Sequence, residues 1–155
     1  MVEPYWERVS TQSVGTFLRD FQRVPMRAGH LLAAHWLQSE VCNGGFHQFF
    51  TNPTGVLAPE AIAGLWAIGL GDLADVAEQA AAFFGKDYPR DAESRSAALD
   101  AFARRQPTTD DDDDESWNPF TDLDERFFDL LGCDDGEDRF EAAADAYSAA
   151  GDGPR

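Results

Sequence analysis

Glu40, Cys42 and His47 stand close together in EVCNGGFHQFFTN, residues 40–52, and their types could carry a reaction. Glu40 would be the base, His47 the acid–base group and Cys42 the nucleophile, the roles that hydrolytic and acyl-transfer chemistry require. The spacing argues against this assembly. His30, His35 and Glu40 follow one another at intervals of five, so successive members lie about 140° apart around a helix. No H-E-x-x-H, G-x-S-x-G or phosphate-cradling Gly-Lys-Ser/Thr string occurs. A hydrolase or metal enzyme using Glu40, His35 and His47 remains a competing expectation, and it requires a pocket that joins the three.

The same stretch has a structural task open to it. Asn43 or Gly44 can enter the left-handed conformation that ends a helix, and Gly45 lets the chain swing before Phe46, Phe49 and Phe50 restart helical spacing. A corner between buried helices leaves backbone N–H and C=O groups in need of partners. Glu40, Asn43, Gln48 and Asn52 carry groups that could serve them, and Asn52 before Pro53 is a stop signal. The residues of the corner are thus expected to fold the protein and not to catalyse.

Helices must position this corner, because apolar spacing is helical throughout and strand alternation is hard to find. Val14, Phe17, Leu18 and Phe21 mark a first helix, and Pro25 suits the first turn of a second that runs to about Cys42. Pro59 opens another, with Ile62, Leu65 and Trp66 on one face. Asp72 is a candidate cap for the stripe Leu73, Val76, Ala80, Phe83 and Phe84, which Gly85 closes. Asp91 can cap the next, with Leu99 and Phe102 inward. Leu123, Phe127, Leu130 and Leu131 mark a helix ending at Gly132. The last helix, from about Asp135 to Ala150, is expected to bury Phe140, Ala144 and Tyr147. The sum is a single all-α domain over residues 1–155, a compact bundle of seven or eight helices, with an acidic surface loop at 108–117.

Composition narrows the setting. The net charge is −17, and residues 110–155 hold 17 of the 29 acids against three arginines, a net of −14. Such a surface repels nucleic acid and anionic lipid and attracts basic protein faces. No stretch reaches the ~20 apolar residues of a membrane span. The N-terminus lacks the basic-then-apolar order of a secretory leader, so a cytoplasmic protein is expected. Two cysteines, Cys42 and Cys133, are too few for a disulfide framework and read as buried thiols. No cofactor and no metal site is expected; the consecutive aspartates lack the alternating ligand order of a calcium loop.

The string Asn43, Gly44, Gly45, Phe46, Gln48, Phe49, Phe50 and Asn52, preceded by Glu40, resembles the N-G-G-F-x-Q-F-F-x-N motif of a bacterial family of small acidic helical proteins. That family was long catalogued as a domain of unknown function, and it includes a DNA mimic. LADVAEQAAAFFG and LDERFFDLL are similar as well, and the likeness covers roughly residues 25–150. It implies an all-α fold, a homodimer and no catalytic chemistry. It also implies an acidic face that occupies the DNA-binding surface of a transcription factor or other basic DNA-binding protein. The run Asp110, Asp111, Asp112, Asp113 and Asp114, followed by Glu115, looks like an insertion, so no role carries over to it; a solvated loop is expected.

Mimicry requires carboxylates at phosphate-like spacing on a stiff frame. Glu137, Glu141 and Asp145 recur every fourth residue, about 6 Å apart along a helix axis. Asp122, Glu125 and Asp129 follow i, i+3, i+7, opposite Leu123 and Phe127. Asp134, Asp135 and Asp138 add charge between the two sets. Phosphates along one DNA strand step by about 3.4 Å of axial rise, which this spacing permits without specifying. The expected partner is therefore a basic DNA-binding protein, with no direct contact to nucleic acid or membrane. A shape-based immunity or regulatory module is the remaining alternative.

Overall fold

The computed structural model describes residues 14–106, 118–132 and 139–150. Among these, seven α-helices and two short 3-10 turns form an all-α bundle with no strand. The helices are α1 (Val14–Phe21), α2 (Met26–Thr51), α3 (Ala58–Ala67), α4 (Gly71–Ala81), α5 (Ala92–Arg104), α6 (Thr121–Leu131) and α7 (Arg139–Ala149). The five-aspartate run and Glu115, as well as Asp134, Asp135, Glu137, Asp138 and Cys133, lie outside the described residues.

Helix α2 is the axis of the molecule. Its Trp36, Leu37, Val41, Phe46, Phe49 and Phe50 are all at most 1% exposed, so α2 is walled in along most of its length. Burying a side chain of this size stabilises the fold by roughly 1.5–3 kcal/mol relative to leaving it in water. After the 3-10 turn Pro53–Leu57, α3 returns along α2, and Gly64 lies against the His30 carbonyl. A side chain at Gly64 would collide with that backbone. Helices α4 and α6 pack on each other, and α6 also packs on α2. Phe46 meets Phe127 of α6 edge-on at 5.4 Å, while Phe50 meets Phe84 at 4.9 Å and Phe120 at 5.2 Å. Such tilted aromatic pairs add about 0.5–1.5 kcal/mol each beyond burial.

Several helix ends follow the sequence rules. Asp91 caps α5 by accepting from the Ser94 N–H at 2.7 Å, Gly85 has φ 88°, and Gly132 closes α6 at φ 72°. The second helix breaks just past Cys42, as its spacing suggests: Gly44 and Gly45 leave the helical conformation, and a second helical segment restarts beyond them and runs to Thr51, so α2 is two segments joined at a kink. Other expectations are corrected. Pro25 stands just before α2, not in its first turn. Asp72 is not a cap, because α4 starts at Gly71 and the Asp72 carboxylate binds the Arg139 guanidinium at 2.8 and 3.0 Å. Trp66 does not face the core; it is 51% exposed and lies over Gly71. In the last helix only Phe140 is fully buried, whereas Ala144 and Tyr147 are half-covered, and Cys42 is half-buried rather than sealed.

Candidate functional site: the kinked corner and the acidic helices

The kink in α2 is built from two glycines with different duties. Gly45 takes φ 75°, ψ −179°, a conformation essentially confined to glycine. Gly44 stays at negative φ (−154°), so the expectation that Asn43 or Gly44 would turn left-handed is replaced by Gly45. A Cβ on Gly44 would fall on the Gln48 amide, and one on Gly45 would stand 2.6 Å from Asp124 Oδ2. Both glycines therefore clear space for polar side chains that fold back onto the corner.

Glu40 organises the inner side of that corner. Glu40 is 9% exposed, and its carboxylate accepts from Gln48 Nε2 at 2.7 Å, Asn52 Nδ2 at 2.8 Å and Thr54 Oγ1 at 3.4 Å. Asn43 Nδ2 donates in turn to Gln48 Oε1 at 3.3 Å. The motif's polar residues thus bind one another through their side chains, where the sequence led us to expect them on orphan backbone groups. Those backbone groups are served from far along the chain. Asp124 Oδ1 accepts from the Phe46 N–H at 2.7 Å, capping the restarted helical segment, and Asp124 Oδ2 accepts from Asn118 Nδ2 at 3.2 Å. Burial pushes the Asp124 carboxyl up, against the lowering pull of these bonds.

The end of α2 is closed by Arg95, which is 0% exposed. Its guanidinium donates to the carbonyls of Phe50 (2.8 Å), Asn52 (3.1 Å), Pro89 (3.0 Å) and Arg90 (2.6 Å). A cation on the last carbonyls of a helix complements its dipole. Desolvation lowers the Arg95 pKa from its usual value, and the nearby Tyr88 and Asp91 oppose that. Tyr88 hydroxyl donates to Gly55 O at 2.7 Å, and burial raises its pKa. Neither Asp124 nor Arg95 was singled out by sequence. The only local trace was their occurrence at amphipathic positions that should otherwise be apolar.

Beside the corner lies an open polar cleft of about 490 Å³, lined by Gln38, Ser39, Cys42 and Asn43 together with the Glu40, Gln48 and Asn52 network. Gln38 Nε2 approaches Cys42 Sγ at 3.6 Å. Neither His35 nor His47 lines this cleft, and the exposed His35 ring packs against Phe140 at 6.2 Å. This cleft therefore does not join Glu40 to His35 and His47. Among the described residues no group of three or more His, Cys, Asp or Glu is placed to hold a metal ion.

The remaining candidate residues lie on the acidic helices α6 and α7. Asp122, Glu125 and Asp129 are exposed on α6, as are Glu141 and Asp145 on α7. Arg126 shares the outer face of α6 and donates to Gln79 of α4 at 3.2 Å, so the α6 stripe is anionic with one cation inside it. Exposed Asp75 and Glu78 lie on the neighbouring α4. Helix α7 is held at its start by Arg139, which binds Asp72 and donates to the Leu130 carbonyl at 2.8 Å. Near its end Arg27 donates to the Tyr147 carbonyl and stacks over the Tyr147 ring at 4.3 Å, while His30 Nδ1 lies 3.1 Å from the Tyr147 hydroxyl.

The family model described as DMP19-like protein matches residues 22–151, most of the chain, including the corner and both acidic helices. The chain belongs to the DMP19-like family. No curated protein and no solved structure matches it. DMP19-like proteins are not a known enzyme family. No helix among the described residues is long and apolar enough to cross a membrane.

Proposed function

We propose that the protein is a DNA mimic, which covers the basic DNA-binding surface of a transcription factor or another DNA-binding protein with the carboxylates of α6 and α7. The observation that carries this reading is the exposure of Asp122, Glu125, Asp129, Glu141 and Asp145 on helices anchored from beneath. Phe127 and Leu131 seat α6 in the core, and Phe140 with the Arg139–Asp72 pair seats α7. A fixed frame matters because a mimic must offer its charges in register, and a loose acidic tail offers none. Asp122 and Asp129 stand about 10 Å apart along the α6 axis and Glu141 and Asp145 about 6 Å apart on α7. Membership of the DMP19-like family supports the same reading. The charge of −17 would steer a basic partner from a distance, and Arg or Lys pairs with the carboxylates would then hold it. The homodimer implied by the family likeness belongs to this proposal and is checked by sedimentation velocity.

The test is a pull-down from lysate at graded salt with the full chain as bait. A second bait carries Asp122→Asn, Glu125→Gln, Asp129→Asn, Glu141→Gln and Asp145→Asn. Captured partners should elute as the screening length falls from about 10 Å at 0.1 M to about 3 Å at 1 M. They should be displaced by duplex DNA and be lost from the neutralised bait at unchanged helicity. Partners that ignore salt, DNA and neutralisation would instead favour the shape-based immunity or regulatory module.

A further inference from the structure

We propose that the cleft beside Glu40 is a binding site for a single guanidinium or alkylammonium group. Glu40 is nine-tenths buried, yet among the described residues its hydrogen-bond partners are all uncharged: Gln48, Asn52 and Thr54. No arginine, lysine or histidine of the described residues forms an ion pair with it; the pairs found are Asp20–Arg23, Glu60–Arg90 and Asp72–Arg139. Two of the three donors converge on Oε2, whereas Oε1 receives only the long 3.4 Å bond from Thr54. A carboxylate has about four acceptor positions, so capacity remains for a further donor.

The surroundings match a cation better than an anion or an apolar ligand. The cleft is polar and open to solvent, and among the described residues Glu40 is the one acid on its lining. The amide carbonyls of Asn43 and Asn52 and the Ser39 hydroxyl are neutral acceptors on the same lining, suited to the remaining N–H groups of a planar guanidinium. An anion would meet both Glu40 and the net charge of −17. The site does not depend on the acidic faces of α6 and α7. The cation could be the basic side chain of a bound polypeptide or a free small molecule, and the chemistry recognised is the same.

Methylguanidinium titrated into the full-length protein, followed through the side-chain amide NMR signals of Gln48 and Asn52, tests the proposal at constant ionic strength. We expect a saturable shift with a Kd on the order of 1 mM, as befits one small group. Acetamide, the neutral control, should produce none. Glu40→Gln should weaken binding at least tenfold. If that variant does not fold, Asn43→Ala on the exposed rim decides, with a several-fold loss expected. The bait neutralised on α6 and α7 should bind methylguanidinium as the parent does, so this site and the DNA-mimic reading fail separately. A blocked arginine dipeptide that binds more tightly than methylguanidinium identifies a polypeptide side chain, and weaker or equal binding identifies a free cation. An absent or non-saturating shift, an equal response to acetamide, or full affinity in a folded Glu40→Gln or in Asn43→Ala overturns the proposal.

Discussion

Replacing Gly45 by alanine puts the corner under the most direct strain. Its φ of 75° with ψ of −179° costs a residue bearing a Cβ about 1–3 kcal/mol. The new methyl would stand 2.6 Å from Asp124 Oδ2 and 2.9 Å from its Cγ, so Asp124 must withdraw. Withdrawal sacrifices the 2.7 Å bond from the Phe46 N–H, a charged hydrogen bond worth about 1.5–3 kcal/mol. The two effects together predict a loss of about 2.5–6 kcal/mol, a large part of the 5–15 kcal/mol that holds a typical domain. At roughly 2–4 °C per kcal/mol for a chain of this size, Tm should fall by about 5–24 °C. Chemical denaturation followed by circular dichroism measures it, with two glycines as controls. Gly69→Ala has positive φ (86°) but nothing within 4 Å, and should show backbone strain alone. Gly15→Ala lies exposed in α1 and should gain up to about 1 kcal/mol. On an Asp124→Ala background the Gly45→Ala penalty should shrink by about 1.5–3 kcal/mol, because the bond that the collision costs is already gone. A Gly45→Ala cost no larger than that of Gly69→Ala, or strict additivity with Asp124→Ala, would refute the reasoning.

Glu40→Ala strips Gln48, Asn52 and Thr54 of their common acceptor and should cost about 2–3 kcal/mol in urea unfolding, while Asn43→Ala, at the exposed edge, should cost less than about 1 kcal/mol. Arg95→Leu leaves four carbonyls without their donor and should destabilise by about 3–5 kcal/mol; Arg95→Lys, which has no planar fork, should recover only part of that loss. The two paired aspartates should titrate on opposite sides of 3.8 in carboxyl NMR, Asp72 below and Asp124 above. For Asp72, held down by its hydrogen bond to Arg139, the stabilisation is present above pH 3.8 and is lost as pH falls through the folded pKa; with both partners about 40% exposed it amounts to less than about 1 kcal/mol. For Asp124, raised by burial, protonation favours the folded state, so its contribution grows as pH falls through the folded pKa toward 3.8.

Local information was legible in the sequence and long-range information was not. Helical spacing located the elements, and the cap at Asp91 and the stops at Gly85 and Gly132 could be seen because each depends on neighbours within a few residues. The glycine pair was recognisable as a corner, yet which glycine turns left-handed depends on Asp124, 78 residues beyond Phe46. For the same reason Asp124 on α6 and Arg95 on α5 show in the sequence only as charges that interrupt apolar positions. Only packing reveals that one meets an N–H and the other four carbonyls. Trp66 was assigned inward by its spacing with Ile62 and Leu65, but the closeness of α3 to α2 at Gly64 leaves its ring outside, over Gly71. The acids of α6 and α7 were legible as exposed positions because an amphipathic helix sorts its own faces, and by the same sorting Arg126 stands within the α6 stripe.

The bond between Phe46 and Asp124 also sets a timetable for the growing chain. At about 5–20 residues per second, the 78 residues separating them take the ribosome roughly 4–16 s to add. Throughout that interval the nascent corner has its glycines but not its carboxylate, and the aromatic side chains that α6 will cover stay open. Newborn chains should therefore be most vulnerable to proteases and most in need of chaperones just before α6 leaves the exit tunnel.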